Sequence, residues 1–249
     1  GVLSTSLVST STFQKIGKPV GCDTATRLPP GVTPSSVTMM FGTYMTLAIV
    51  TDSGFVYMLT QAGTKLQGDS TTLGMTRWHK VKINSSTYLS NVASIRGHVN
   101  DSNKNAFMAV TSTGQIYTWG SSVYTGGGAA RTSAYYARLM TIPAEFGVSN
   151  LPKMIGVTGG TKDSSTTYET YYILSSLGKL YTMGDNRQKQ CGDWTRTERK
   201  DWVLAKKSAT DTFKNIAFLS VQEHNGAFPA IAVVTAVSYT HLRAHETRE

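Results

Sequence analysis

The chain has 249 residues, of which 40% are hydrophobic and 16% charged, and its formal net charge is +9 at pH 7. It contains no apolar run near the roughly 18 residues that a membrane-spanning helix needs, and its two cysteines are too few for a disulfide framework. Many Ser, Thr and Gly residues accompany this moderate charge, which is typical of a β-rich domain.

The first clear element is a predicted β-hairpin centred on Gly54. An apolar run from Ala48 meets a turn of the form Thr-x-x-Gly, and a second run rich in β-branched and aromatic residues follows. Glycine suits the position because a four-residue hairpin loop places one residue at positive φ. Copies of the pattern recur at Gly114 and Gly178, 60 and then 64 residues further on. A fixed period of this size predicts a repeat architecture.

Two further landmarks keep the same period. An aromatic segment recurs 65, 58 and 66 residues apart, beginning at Phe13, Trp78, Tyr136 and Trp202. A weaker apolar segment precedes each hairpin, at Val37 to Gly42, Val92 to Gly97, Met154 to Gly156 and Phe213 to Phe218. Together the landmarks predict about four short strands per period, which is the size of a propeller blade.

These residues resemble the regulator-of-chromosome-condensation repeat family. The family pattern Gly-x-x-His-Ser/Thr-x-Ala-Leu is similar to Gly42 to Ile49, with Met45 in place of histidine. The middle part, Thr-x-x-Gly-x-Val-Tyr-x-Trp-Gly, matches through Trp119 and Gly120. The last part matches Gly184 to Gly192, with Lys189 where the family has glycine.

Two copies depart from the family pattern. Met183 replaces its tryptophan, and Leu59-Thr60 replaces its Trp-Gly pair. The resemblance covers about residues 13–235. It implies a β-propeller that serves mainly in protein–protein recognition, including guanine-nucleotide exchange and enzyme inhibition.

We therefore expect an all-β chain in which residues 1–236 form a partial β-propeller of four-stranded antiparallel blades. About three full units plus partial first and last units are expected, since such propellers usually close with more blades than this length supplies. The predicted units are roughly 17–81, 82–139, 140–204 and 205–236.

Residues 237–249 are predicted to be a non-native tail. The fourth hairpin should place a glycine near position 238, where the chain has Ser238, and the following segment resembles sequencing-adapter read-through. This would make the chain a fragment of environmental, bacterial or phage origin. The alternative is a genuine polar C-terminal tail.

The predicted binding surface consists of loops that arise at one point of the repeat. Insertions fall at residues 97–109, 159–169 and 222–228, and repeat symmetry would gather them on one face. The candidate binding residues are Asn103, Lys104, Lys162, Asp163, Tyr168 and His224. The alternative is that these are solvent loops with no role.

No catalytic or metal-binding residues are predicted, and no cofactor. Gly126 to Gly128 lacks the Lys-Ser/Thr of a phosphate-binding loop. His79, His98 and His224 lie in different repeats without ligand spacing, and Cys191 occupies an apolar motif position. Nucleic acid is not an expected partner, because four acidic residues interrupt the basic segment 185–207.

The predicted function is a non-enzymatic binding or structural module with a protein partner or surface ligand. An extracellular or virion-surface location is favoured. The alternatives are that the propeller belongs to an enzyme, or that it is a guanine-nucleotide-exchange-type regulator.

Overall fold

The computed structural model describes residues 20–43, 46–60, 67–71, 77–99, 105–163, 166–223, 230–236 and 239–240. These residues form fifteen β-strands and one short 3-10 helix, Pro34–Ser36. No helix within the described ranges is long and apolar enough to cross a membrane.

The strands form four sheets that follow one another along the chain. Sheet one contains β1 (Val37–Thr43), β2 (Thr46–Thr51), β3 (Val56–Thr60) and β4 (His79–Lys80). Sheet two contains β5 (Val92–Val99), β6 (Asn105–Thr111), β7 (Ile116–Val123) and β8 (Thr132–Leu139). Sheet three contains β9 (Pro152–Asp163), β10 (Thr166–Ser175), β11 (Leu180–Gly184) and β12 (Arg199–Leu204). Sheet four contains β13 (Ile216–Val221), β14 (Ile231–Thr235) and β15 (Tyr239–Thr240).

Within each sheet, strands adjacent in sequence pair antiparallel. The all-β class and the four-stranded antiparallel units predicted from the sequence are therefore confirmed. Such an up-and-down order lets each short strand pair with its sequence neighbour and keeps the free edges short.

The three repeat glycines occupy equivalent turns, as predicted. Gly54, Gly114 and Gly178 have φ angles of 71°, 85° and 74°. Each donates its backbone N–H to the carbonyl of the Thr or Ser three residues earlier, at 2.8 to 3.0 Å. The hydroxyl of that same residue accepts the N–H of the residue after the glycine, at 3.0 to 3.2 Å. The Thr/Ser-x-x-Gly signature thus satisfies the turn's backbone donors locally.

The Trp-Gly signature has a separate structural cause. Gly120 and Gly184 have φ angles of 141° and 122°, and a Cβ at either would lie 2.2 Å from the carbonyl oxygen of Asn105 or Glu169. Sheet one replaces this close approach with a side-chain contact, because the Thr46 and Thr60 hydroxyls lie 2.7 Å apart. The departure of Leu59-Thr60 from the pattern is therefore accommodated within the same strand register.

The first three sheets share one hydrophobic core. Trp119 and Met183, which precede the two glycines, are fully buried in this core. Leu59, which precedes Thr60, is also fully buried but belongs to a smaller cluster with Ile49 and Trp78. Trp119 stacks on Phe107, with ring centroids 5.7 Å apart. A second cluster joins sheets three and four around Tyr172.

Sheet four departs from the repeat at its hairpin. Val234 pairs with Tyr239, which leaves four residues between them, whereas five separate Val50 from Val56. Tyr239 and Thr240 belong to the predicted tail and pair with β14. Residues 237–238 and 241–249 lie outside the described residues, so the non-native origin of the tail stays a prediction.

Candidate binding face and central channel

The first strands of the four sheets surround a common channel. Residues of β1, β5, β9 and β13, together with Glu223, line a cavity of about 350 Å³. Since each first strand is followed by the same antiparallel order, the strand ends that lead into the second strands point the same way. The four sheets are therefore arranged radially around the channel, as the blades of a propeller are.

Contacts between sheets bring these strand ends together. The Thr43 hydroxyl at the end of β1 donates to the Glu223 carbonyl beyond β13, at 2.7 Å. The Arg96 Nε lies 3.3 Å from Glu223 Oε1. In the neighbouring pair of sheets, the His98 ring packs against Gly159 so closely that a Cβ there would lie 2.1 Å from it.

We call this side of the molecule the loop-bearing face. It is defined by the ends of the first and second strands, from which the connections 44–45, 100–104, 164–165 and 224–229 arise. Of the predicted binding residues, Asn103, Lys104 and His224 lie in those connections and outside the described residues.

The third predicted insertion is mostly strand. Residues Lys162 and Asp163 belong to β9 and Tyr168 to β10, and Tyr168 pairs with Gly160. The interpretation of 159–169 as an inserted loop is therefore wrong for its backbone, because the hairpin continues to within two residues of its tip. The sequence did not predict this extension of the strands, because residues 159–169 are mostly glycine and polar residues. Backbone pairing across the hairpin forms the strands there without an apolar pattern. A joint binding role for the six residues stays a prediction.

The channel carries one ion pair that crosses from sheet two to sheet four. Burial raises the pKa of Glu223 to about 7, and the Arg96 guanidinium opposes part of that rise. Arg96 also donates to the carbonyl of Ile95 at 2.8 Å. The charge at this side of the channel is therefore sensitive to pH near neutrality.

Two carboxylates, those of the buried Asp193 and the partly buried Asp69, form turns that the sequence analysis did not single out. Asp69 accepts hydrogen bonds from the Thr71 hydroxyl at 2.9 Å and from the Thr71 N–H at 3.0 Å, and its Oδ2 lies 2.7 Å from His79 Nδ1. Asp193 accepts from Asn186 Nδ2 at 2.8 Å, from the Thr195 N–H at 3.0 Å and from Arg199 Nε at 2.5 Å. We call them the Asp69 turn (residues 68–71) and the Asp193 turn (residues 192–195).

Burial raises the pKa of each of these two carboxyls, but the hydrogen bonds outweigh it. For Asp69 the main opposing donor is His79, and for Asp193 it is Thr195, so both pKa values lie below their ordinary range. The common sequence Gly-Asp-x-Thr, 124 residues apart in the chain, was the signal that could have revealed the turns.

The described residues include no group of three or more His, Cys, Asp or Glu side chains placed to hold a metal ion. Burial raises the pKa of the Cys191 thiol well above its ordinary range, and the side chain is fully buried. A thiol in that state is a poor nucleophile.

Similarity to solved structures agrees with the architecture. Prp20p from Saccharomyces cerevisiae, whose binding properties to Gsp1p and histones were described with its crystal structure, matches with a TM-score of 0.54 and 10% sequence identity. The match covers 80% of this chain and 44% of Prp20p. Human WBSCR16 matches with a TM-score of 0.42 and 11% identity, over 80% of this chain and 57% of that protein. The chain thus spans about half the length of the two proteins.

No family model matches the sequence, and no curated protein matches it either. The sheet order, the channel and the similarity to Prp20p define the fold as that of a β-propeller. This result is consistent with the resemblance to regulator-of-chromosome-condensation repeats.

Proposed function

We propose that this chain is a non-enzymatic recognition module whose loop-bearing face binds a protein partner. The observation that carries the proposal is the convergence of four strand ends around the channel, joined by Thr43, Arg96 and Glu223. A rigid sheet core that presents several connections on one side is the usual framework for a binding surface. The similarity to Prp20p supports a protein partner, since that protein binds Gsp1p and histones.

The proposal extends to the six predicted residues. These residues come from three successive units of the repeat: Asn103 and Lys104 from the second, Lys162, Asp163 and Tyr168 from the third, and His224 from the fourth. A partner that spans the channel would contact all three. Tyrosine is one of the residue types that contribute most of the binding energy in protein interfaces, and charged side chains around it favour partners of complementary charge. Display on an extracellular or virion surface would suit this polar face.

The test replaces all six residues with alanine in the full chain. Proximity labelling in the native host should recover a protein partner with the wild-type chain and lose it with the variant. The matched control is the triple alanine variant of Asp52, Ser112 and Leu177, which are exposed residues of the hairpin turns at the opposite ends of the second strands. Equal capture by both variants, with unchanged thermal unfolding, would contradict the proposal.

A guanine-nucleotide-exchange-type regulator is the competing function, implied by the family resemblance. The release of labelled nucleotide from the captured partner distinguishes this exchange activity from binding alone. Release that depends on the loop-bearing face would favour the exchange activity over simple binding.

A further inference from the structure

Three aromatic rings surround the ammonium group of Lys80 in β4. Its Nζ lies 3.1 Å from the ring centroid of Phe55, 4.5 Å from that of Tyr88 and 5.6 Å from that of Tyr57. The Phe55 and Tyr88 rings meet edge to face, with an interplanar angle of 77° and centroids 6.5 Å apart. A cation within about 6 Å of a ring centroid is attracted by the negative potential of the ring face. We call Phe55, Tyr57 and Tyr88 the aromatic cage.

The cage is built within one unit of the repeat. Phe55 lies in the hairpin between β2 and β3, and Tyr57 lies in β3 directly opposite Lys80. Opposite residues of an antiparallel pair project from the same face of a sheet, so these two side chains are neighbours. Tyr88 comes from the connection between β4 and β5, where its backbone bridges to Lys82. A hairpin, a strand and a connection, all among the described residues, thus converge on one ammonium group.

The tyrosine of the cage recurs in the next two sheets, but the groups around it do not. Its counterparts are Tyr117 and Tyr181. Opposite the tyrosine, the three sheets carry Lys80, Leu139 and Leu204. After the repeat glycine, they carry Phe55, Gln115 and Lys179. The sheets form without these groups, so the cage is a local feature of sheet one that the fold does not require.

Sheet two shows that a preceding sheet leaves this position open to solvent. The Lys82 carbonyl of sheet one accepts the N–H of Ala137 at 2.8 Å, so sheet one lies beside β8. Leu139, which occupies the position of Lys80 in that strand, nevertheless remains 54% exposed. Tyr88 is 42% exposed. The cage can therefore be reached from solvent when a sheet packs on this side.

The cage holds its cation without a counter-ion. Among the residues that the structure describes, no carboxylate lies within ion-pair distance of the Lys80 Nζ. Burial lowers the pKa of Lys80. A primary ammonium has three N–H donors, which ring faces satisfy poorly, whereas a trimethylammonium group has the same charge and no N–H donor. The cage therefore suits a methylated cation better than the ammonium that occupies it.

We propose that the aromatic cage is a binding site for a trimethylammonium group, and that Lys80 is an internal cation which the ligand replaces. Lys80 is only partly buried and ends a flexible four-carbon stem, so its ammonium can turn into solvent. The methyl groups of the ligand then contact the three ring faces. A free small cation and a methylated lysine of a protein both carry this group. The cage lies beside the hairpin turns, at the opposite ends of the second strands from the loop-bearing face, so the two sites can be tested separately.

Tetramethylammonium chloride is the probe, and its binding to the full chain is measured through the NMR signals of the tyrosine rings. Tyr57 and Tyr88 should shift in a saturable manner, and sodium chloride at the same ionic strength should not shift them. Lys80→Ala should tighten binding about tenfold, because the internal competitor is gone, and adding Phe55→Leu should reverse that gain. The matched control Leu139→Ala truncates the equivalent residue of sheet two and should leave binding unchanged.

Thermal unfolding checks that each variant is folded, and the wild-type titration decides by itself if one is not. Equal shifts with sodium chloride, or a gain in binding that survives Phe55→Leu, would overturn the proposal. Binding to the Lys80→Ala variant with none to the wild-type chain would also overturn it, because Lys80 would then be a permanent part of the cage.

A peptide with one trimethyllysine separates the two sources of the group. Cage-dependent binding about tenfold tighter than that of tetramethylammonium would identify a methylated lysine of a partner protein, and equal affinity would identify a free small cation. The same peptide with unmodified lysine should bind about tenfold more weakly than the methylated one. Equal binding of the two peptides would contradict the assignment of the cage to a trimethylammonium group.

Discussion

The Asp69 and Asp193 turns share a backbone and differ in what surrounds them. The carboxylate of Asp69 binds a histidine whose side chain is 2% exposed, and β8 lies over the turn. The carboxylate of Asp193 binds an arginine whose side chain is 30% exposed, and the turn is open around Trp194. Sheet two has Gly126-Gly127 at the positions of the Gly-Asp pairs, so no carboxylate stands there.

The difference shows that the carboxylate is not needed to form the turn. Gly126 has a positive φ of 80°, and Gly68 and Gly192 also have a positive φ. Two residues later, the Gly128 N–H donates to the Lys200 carbonyl of sheet three at 3.2 Å, as the Ser70 N–H donates to Tyr135. The aspartate instead holds the segment after the turn, through Thr71 or Thr195. The contribution of the aspartate to the free energy of unfolding should therefore depend on how deeply its side-chain partner is buried.

The largest expected effect comes from removing each carboxylate in turn. Asp69→Ala should lower the free energy of unfolding by about 3 kcal/mol, because the buried His79 loses its carboxylate and keeps only the Thr71 hydroxyl, 3.1 Å from its Nδ1. Asp193→Ala should cost about 1 to 2 kcal/mol, since water can solvate Arg199. Urea denaturation of both variants measures the difference. Equal losses would show that the burial of the partner does not determine how much each carboxylate contributes to stability.

Acid should weaken the Asp193 turn in a defined range of pH. A carboxyl whose pKa is lowered on folding adds stability above its unfolded pKa of 3.8, and that stability disappears as pH falls through the folded pKa. We expect this group to lower the free energy of unfolding as the pH falls below about 4. Asp193→Asn should remove that part of the decline, as urea denaturation between pH 2 and about 5 would reveal. An unchanged slope in this variant would contradict the assignment.

The contribution of Glu223 to stability should depend on pH in the opposite direction to that of Asp193. Its pKa is raised from 4.5 to about 7, so the folded state binds the extra proton between those values. Stability should therefore fall as pH rises from 4.5 to 7. Glu223→Gln should abolish that fall and stabilise the chain at pH 7 by on the order of 1 kcal/mol.

The control for this measurement is Glu145→Gln. The Lys179 ammonium holds the pKa of Glu145 below its ordinary value, so this variant should keep the fall in stability between pH 4.5 and 7. A fall that survives Glu223→Gln would have to come from another group.

The smallest effect is expected at the open turn itself. Trp194→Ser gives the Asp193 turn the residue found in the Asp69 turn, and it should change the free energy of unfolding by less than about 0.5 kcal/mol. Trp194→Gly should be neutral or slightly stabilising, because glycine adopts positive φ without strain. Thermal unfolding measures both. A loss above about 2 kcal/mol for the serine variant would mean that the indole packs into the core after all.

The fold was predictable because its signals are local. Positive φ at Gly54, and the hydroxyl of Thr51 that accepts a turn N–H, depend on residues within one hairpin. Repetition at Gly114 and Gly178 then predicted the sheet order. The same period also predicted a binding face, which stays a prediction because the side chains of its six residues fall outside the described part of the structure.

Tertiary contacts decided the features that carry chemistry. Arg96 and Glu223 meet only because β5 and β13 border one channel, and burial there moves the pKa of Glu223. The two Asp turns have nearly the same sequence, yet β8 lies over one, and no strand among the described residues lies over the other. Local sequence determines a turn through short-range hydrogen bonds and steric limits on φ. Burial and charge depend on which distant strand packs against that turn, and this is a property of the folded chain.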